Sequence, residues 1–236
     1  MMRWTSWLAA VAAVAAAIGL PGQALCADGR GTDERGERKA EKQALDEAVE
    51  RAHRELWRRF IDPAWHTFYN HAGIDGAVIL PTAEECRTDK PNALSWDISI
   101  SDGAMFGGLY MEAAIHRWMI TKQPEDREKA RRVAAGLMKL ASVGQTKGFI
   151  ARGLTADGSA HYALSSNDQT LPWLYGMWRY VRSDIPDERE RREAKAKILE
   201  VVEALHRHGW RVPGDRPPFD YFGSFADFGW SGAPRL

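Results

Sequence analysis

The sequence predicts an all-α fold built from stacked helical hairpins, and three observations carry that expectation. The first is a pattern stated twice. Ser99-Ile100-Ser101-Asp102-Gly103 opens an apolar helical stretch, and Ser165-Ser166-Asn167-Asp168-Gln169 opens another about 66 residues later, a spacing that suits one repeated supersecondary unit. The second is that each apolar stretch is followed by a charged, amphipathic one. The third is a loop of similar build after each charged stretch, Gly148-Phe149-Ile150-Ala151-Arg152-Gly153 and then Gly209-Trp210-Arg211-Val212-Pro213-Gly214. The repeat therefore sets an aspartate at the start of each apolar helix.

Residues 1–27 read as a secretory signal peptide. Arg3 precedes an apolar run from Trp7 to Leu20, and small residues follow at Gly22, Ala24 and Ala27. The run is too short and too rich in alanine to serve well as a membrane anchor. Cleavage is expected between Ala24 and Ala27, giving a periplasmic or secreted chain. A lipid anchor on Cys26 is the competing reading, against which Leu25 stands where a small residue is wanted. Cys86 is then the one cysteine sure to survive processing. No internal disulfide is expected, and Cys86 reads more simply as a buried small residue than as a catalytic thiol. Residues 28–42 are polar and poor in apolar side chains, which reads as a disordered spacer before a domain over 43–236.

Composition narrows the partners. The 32 basic and 32 acidic residues cancel, so no global field draws the chain to nucleic acid or to an anionic membrane. With 44% apolar residues the chain can bury its own core.

Residues 43–61 carry Leu45, Ala48, Val49, Ala52, Leu56 and Phe60 between Arg and Glu, an amphipathic helix with that stripe buried. It ends at Asp62-Pro63. A long connection follows over 64–101, in which residues 76–81 read as a short strand; connections of this length are usually functional or ordered by a partner surface. Residues 102–121 are apolar on every side, hence a buried helix, and Gly107-Gly108 inside it points to close packing against another backbone. Pro124-Glu125-Asp126 starts an outer helix with Ala130, Val133, Ala134, Leu137, Leu140 and Ala141 inward. Residues 171–181 repeat the inner type, with Pro172 in the first turn. Pro186-Asp187 caps a second outer helix through His208, with Ile198, Val201, Val202 and Leu205 inward.

Alternating inner and outer helices describe two concentric rings, an (α/α)6 toroid. At ~65 residues per hairpin a closed ring needs roughly 390 residues, so this chain is expected to hold about half of one. The aromatic-rich stretch over 219–230 reads as a truncated end. Inner helices without neighbours would leave apolar surface open to self-association.

Residues 80–86, then 90–96, then 101–110, with Ser166-Asn167-Asp168-Gln169-Thr170, resemble exported bacterial proteins of the six-hairpin glycosidase-like superfamily. The resemblance covers roughly residues 43–210. It implies hydrolysis of glycosidic bonds on a carbohydrate partner, an oligo- or polysaccharide. It also implies catalytic aspartates at inner-helix starts, places that Asp102 and Asp168 match.

Read as residues, two carboxylates facing one pocket can divide into acid and base, while Asp near a helix start is also a common cap. Arg152, in the loop before the second inner helix, is suited to clamp a uronate carboxylate. His161 and Tyr162 lie in the same loop, and His161 is suited to assist proton transfer. Gln169 beside Asp168, and Trp96 and Trp210 in flanking loops, complete the substrate-binding set, the tryptophans by stacking on sugar faces. Phe149 and Trp173 flank the same loops, with core packing the simpler role for Trp173. No metal and no cofactor is expected. His206 and His208 point to different faces, His66 and His71 lack companions at ligand spacing, and neither a phosphate-binding glycine loop nor a Gly-x-Ser-x-Gly turn is present. The alternative to an enzyme is a non-catalytic glycan-binding or structural relic.

Overall fold

The computed structural model describes residues 34–226. The expected signal peptide, its cleavage site, Cys26, the start of the expected spacer and the aromatic stretch around Phe228 and Trp230 lie outside the described residues. The described chain is mainly helical, with six α-helices and two short strands. It divides into two compact units, Met1–Ala48 and Val49–Leu236.

Helix α1 spans Glu34–Glu55, so residues 34–42 of the expected spacer are helical. Strong helix formers and pairs four apart, such as Lys42 Nζ on Asp46 at 2.7 Å and Gln43 on Glu47 at 3.1 Å, support it without an apolar face. Within the second unit α1 runs into a π-helical turn, Leu56–Phe60. The face it turns inward corrects the sequence expectation. Leu45, Val49 and Ala52 are exposed, and Glu50, His53 and Trp57 do the packing. Arg117 donates to Glu50 at 2.6 and 2.9 Å, and the Tyr110 hydroxyl meets His53 and Trp57 at 2.9 and 3.0 Å. A polar stripe at helical spacing wins because the side chains it meets, Tyr110 and Arg117, are polar.

Residues 76–81 form no strand. Val78 and Leu80 instead pack on a small cluster of Tyr69, Cys86, Ile100 and Tyr162. Helix α2, Ala83–Arg87, follows, started by a reciprocal Thr82–Glu85 cap. Burial pushes the Cys86 thiol up to about 12, which leaves it inert as a nucleophile at neutral pH.

Helix α3 is Gly103–Thr121 and α4 is Pro124–Leu140, with the expected inward face of α4 buried. Helix α5 covers Asn167–Arg182. It starts earlier than the apolar pattern indicated, so Pro172 sits in its second turn, where it denies the carbonyl of Asp168 a helical N–H. Helix α6, Glu188–Arg207, opens on a reciprocal Asp187–Glu190 cap. Glu190 also pairs with Arg131 of α4 at 2.7 Å. Trp173, Leu137, Phe149, Met111 and Met177 are the large side chains at the centre of the core, and the Trp173 indole donates to the Leu137 carbonyl at 2.8 Å.

Helices α3 and α5 meet backbone to backbone. A Cβ on Gly108 would stand 2.2 Å from the Pro172 carbonyl oxygen, and one on Gly176 would stand 2.5 Å from that of Gly108. Neither helix is buried all round, however. Leu109, Met119 and Ile120 on α3, and Leu171, Tyr175 and Trp178 on α5, are exposed. Beyond α6 the chain forms an antiparallel pair, β1 (Arg211–Pro213) and β2 (Tyr221–Ser224), with Arg211 opposite Ser224. No helix among the described residues is long and apolar enough to cross a membrane.

Candidate functional site

Three chain segments cross where α3 and α5 begin. Asp102 immediately precedes α3 and Asp168 lies in the first turn of α5. Arg152 comes from the loop after α4. Gly103 permits the crossing: a Cβ there would stand 2.6 Å from the Arg152 carbonyl oxygen and 2.8 Å from that of Phe68. Neither aspartate caps its helix, since no side-chain cap is made at either start. Their placement therefore has another cause, and that cause is Arg152.

Arg152 is 3% exposed and stands between the two carboxylates. Its Nη2 lies 3.5 Å from Asp102 Oδ1 and its Nη1 lies 3.8 Å from Asp168 Oδ1. Nη1 also donates to Ser166 Oγ at 2.7 Å, and that hydroxyl donates in turn to Asp168 Oδ1. Burial draws the guanidinium below its ordinary pKa, and the carboxylates of Asp168 and Asp102 oppose that shift. Arginine's high starting value keeps it cationic at neutral pH. One guanidinium reaches both carboxylates, so the two face a single shared cation.

The two carboxylates are not equivalent. Asp102 is 16% exposed. Its Oδ1 accepts from Gln169 Nε2 at 2.7 Å and faces Arg152, while Oδ2 accepts from Asn70 Nδ2 at 2.6 Å and Ser101 Oγ at 3.3 Å. Its backbone N–H returns to Asn70 Oδ1 at 2.6 Å. The carboxylate accepts three hydrogen bonds and faces the Arg152 cation as well, so little of its acceptor capacity is left open. Asp168 is 54% exposed and its Oδ2 is left open. Gln169 is fully buried and links the helices, accepting from the Met105 N–H at 3.1 Å while donating to Asp102.

Of the residues expected at the site, Asp102, Asp168, Arg152 and Gln169 come together. Trp96 stands in a turn tied to the lead-in of α5 by the Leu164 N–H on the Ala93 carbonyl, 3.2 Å. Asn92 grips that turn, accepting from the Trp96 N–H at 3.0 Å and donating to its carbonyl at 3.2 Å. Ser95 and Asp97, on either side, hold left-handed φ values of 54° and 66°. The result is an exposed indole on a strained, fixed turn, an arrangement that clusters at ligand-binding places.

His161, Tyr162 and Trp210 are not part of this group. Both ring nitrogens of His161 are engaged inside the fold, Nδ1 with the Tyr162 carbonyl at 2.8 Å and Nε2 with Asp215 at 3.2 Å. Burial works to raise the Asp215 carboxyl, but the His161 and Thr146 hydrogen bonds outweigh it and hold the pKa low. The Tyr162 hydroxyl donates to the Lys90 carbonyl. These contacts pin the loop that carries Arg152. Trp210 sits past the end of α6 with its ring edge on His206, and Phe149 and Trp173 are core. Sequence reasoning missed Asn70, Ser166 as the bridge to Asp168, and Asn92. Ser166 stood inside the repeated motif, but nothing local marks Asn70 or Asn92.

Among the described residues no three His, Cys, Asp or Glu side chains gather as a metal would require. No family model, curated protein or solved structure matches the chain.

Proposed function

We propose that the chain is an exported glycan-processing hydrolase of the six-hairpin glycosidase-like kind, its hairpins forming part of an (α/α)6 toroid. The observation that carries this reading is the convergence of two non-capping aspartates, from the starts of adjacent inner helices, on one buried arginine. Asp168 Oδ2 is the reacting atom, taking a proton from the attacking water as general base, while a solvent water at the exposed mouth returns a proton to the leaving sugar oxygen. Asp102 is a positioning residue that fixes Arg152 and Gln169. Trp96 stacks on the sugar. Residues 1–27 supply the export signal.

The test is a screen of the full chain on plant and algal polysaccharides, followed by two substitutions. Asp168→Asn keeps an acceptor for Ser166 and should melt like the parent while turnover falls by ~10² or more. Asp102→Asn turns one acceptor into a donor that faces another donor, and should cost about 1–3 kcal/mol of stability. Absence of activity in the screen removes the hydrolase reading, while a fully active Asp168→Asn protein removes Asp168 from the site. A second reading, a non-catalytic glycan-binding protein, is favoured by the engagement of Asp102, which leaves one free carboxylate. It predicts saturable glycan binding with no release of reducing ends.

A further inference from the structure

We propose that the unit bound at Asp168 is an uncharged sugar and not a uronate, an inference that rests on the glycan reading above. The first ground is the state of Arg152. A uronate carboxylate is best held by a cationic fork with its donors facing the ligand. Here the fork is buried, one nitrogen donates to Ser166 and both terminal nitrogens face aspartates. Its Nε is buried without a partner, so no edge of the guanidinium is turned outward.

The second ground is the sign of the site. Among the described residues Arg152 is the single lysine or arginine within ion-pair distance of Asp102 or Asp168, and no such cation pairs with Asp97 beside Trp96. Two carboxylates over one guanidinium leave the mouth negative, with the negative group exposed. A ligand carboxylate seated near Asp168 Oδ2 meets like charge and no compensating cation.

The test uses acidic oligosaccharides, oligogalacturonate and oligoglucuronate, beside the same oligosaccharides with carboxyls reduced to alcohols. Binding to the full chain is measured by calorimetry at low and at physiological salt. The reduced forms should bind more tightly, and the gap should widen as salt is lowered. Asp168→Asn should narrow the low-salt gap by roughly fourfold, the factor for one unit charge at ~5 Å in water. Tighter binding of the acidic forms overturns this inference and leaves the glycan reading standing. So does a gap that Asp168→Asn does not change. Binding of neither form overturns the glycan reading and this inference with it.

Discussion

His53 is a neutral base held among cations. Its Nδ1 lies 2.9 Å from the Tyr110 hydroxyl and its Nε2 lies 3.4 Å from Lys129 Nζ. The Tyr110 oxygen already accepts the Trp57 indole N–H at 3.0 Å, so its own proton points to Nδ1. Burial depresses the His53 pKa below 6.5, and Arg117 and Lys129 add to the shift while Asp126 and Glu50 oppose it. The sign follows from linkage. Above about pH 6.5 the ring is neutral whether the chain is folded or not. Below it the unfolded chain takes up a proton that the folded chain refuses, so stability falls as pH falls. His66 is depressed in the same direction, first by burial and then by Arg132. The expected outcome is a urea midpoint that drops from ~pH 7 to ~pH 5.5. His53→Gln keeps an acceptor for Tyr110 and should lose part of that slope. An unchanged slope in the variant would place the pH dependence elsewhere.

At the scale of helices, Gly107 and Gly108 are neighbours with opposite expected costs. A Cβ on Gly108 runs into the Pro172 backbone at 2.2 Å, which cannot yield unless α3 and α5 separate. A Cβ on Gly107 meets the Leu137 Cδ2 at 3.0 Å, a side-chain end that has to yield by only a few tenths of an ångström. Alanine at either site gains about 1 kcal/mol in helix propensity. Gly108→Ala should nonetheless lose about 2 kcal/mol or more through forced separation, while Gly107→Ala stays within about 1 kcal/mol of the parent. Chemical denaturation of the two variants checks this, and equal stabilities would deny the close backbone contact. The glycine pair was legible in the sequence because a helix tolerates two glycines only for a packing reason. The faces of α4 and the cap of α6 were legible for the same kind of reason, since local chemistry and burial agree there. The start of α5 was not, because Asn167, Asp168, Gln169 and Thr170 are polar and do not read as inner helix. Two of them, Gln169 and Thr170, are nevertheless fully buried, Gln169 in the site network and Thr170 on the Ser166 carbonyl at 2.9 Å. The stripe of α1 misled for the converse reason, its packed residues being those that find polar partners. The β1–β2 pair left no period-two pattern to read in strands of three and four residues.

Across the whole molecule the exposed apolar side chains of α3 and α5 set the expected behaviour in solution. Leu171, Tyr175 and Trp178 fall at helical spacing on α5, and Leu109, Met119 and Ile120 are exposed on α3, the helix packed against it. Polar groups bind the two helices across this face, with Arg179 on Glu112 at 2.5 and 2.8 Å and the Tyr175 hydroxyl on Glu112 at 3.2 Å. Those groups satisfy one another, while the apolar side chains named above stay exposed. Apolar patches of a few hundred Å² or more on soluble chains mark contact surfaces, so the chain should self-associate through this face. Sedimentation at rising concentration should move from monomer toward dimer, and an apolar dye should bind the monomer. Ile120→Lys together with Trp178→Lys replaces two exposed side chains, so it should leave the melting temperature near that of the parent and abolish both effects. The toroid reading predicts the same patch, because inner helices of a ring expect neighbours on both sides. A monodisperse parent that binds no dye and melts cooperatively would mean that α3 and α5 need no neighbours, and the toroid reading would fail with the association.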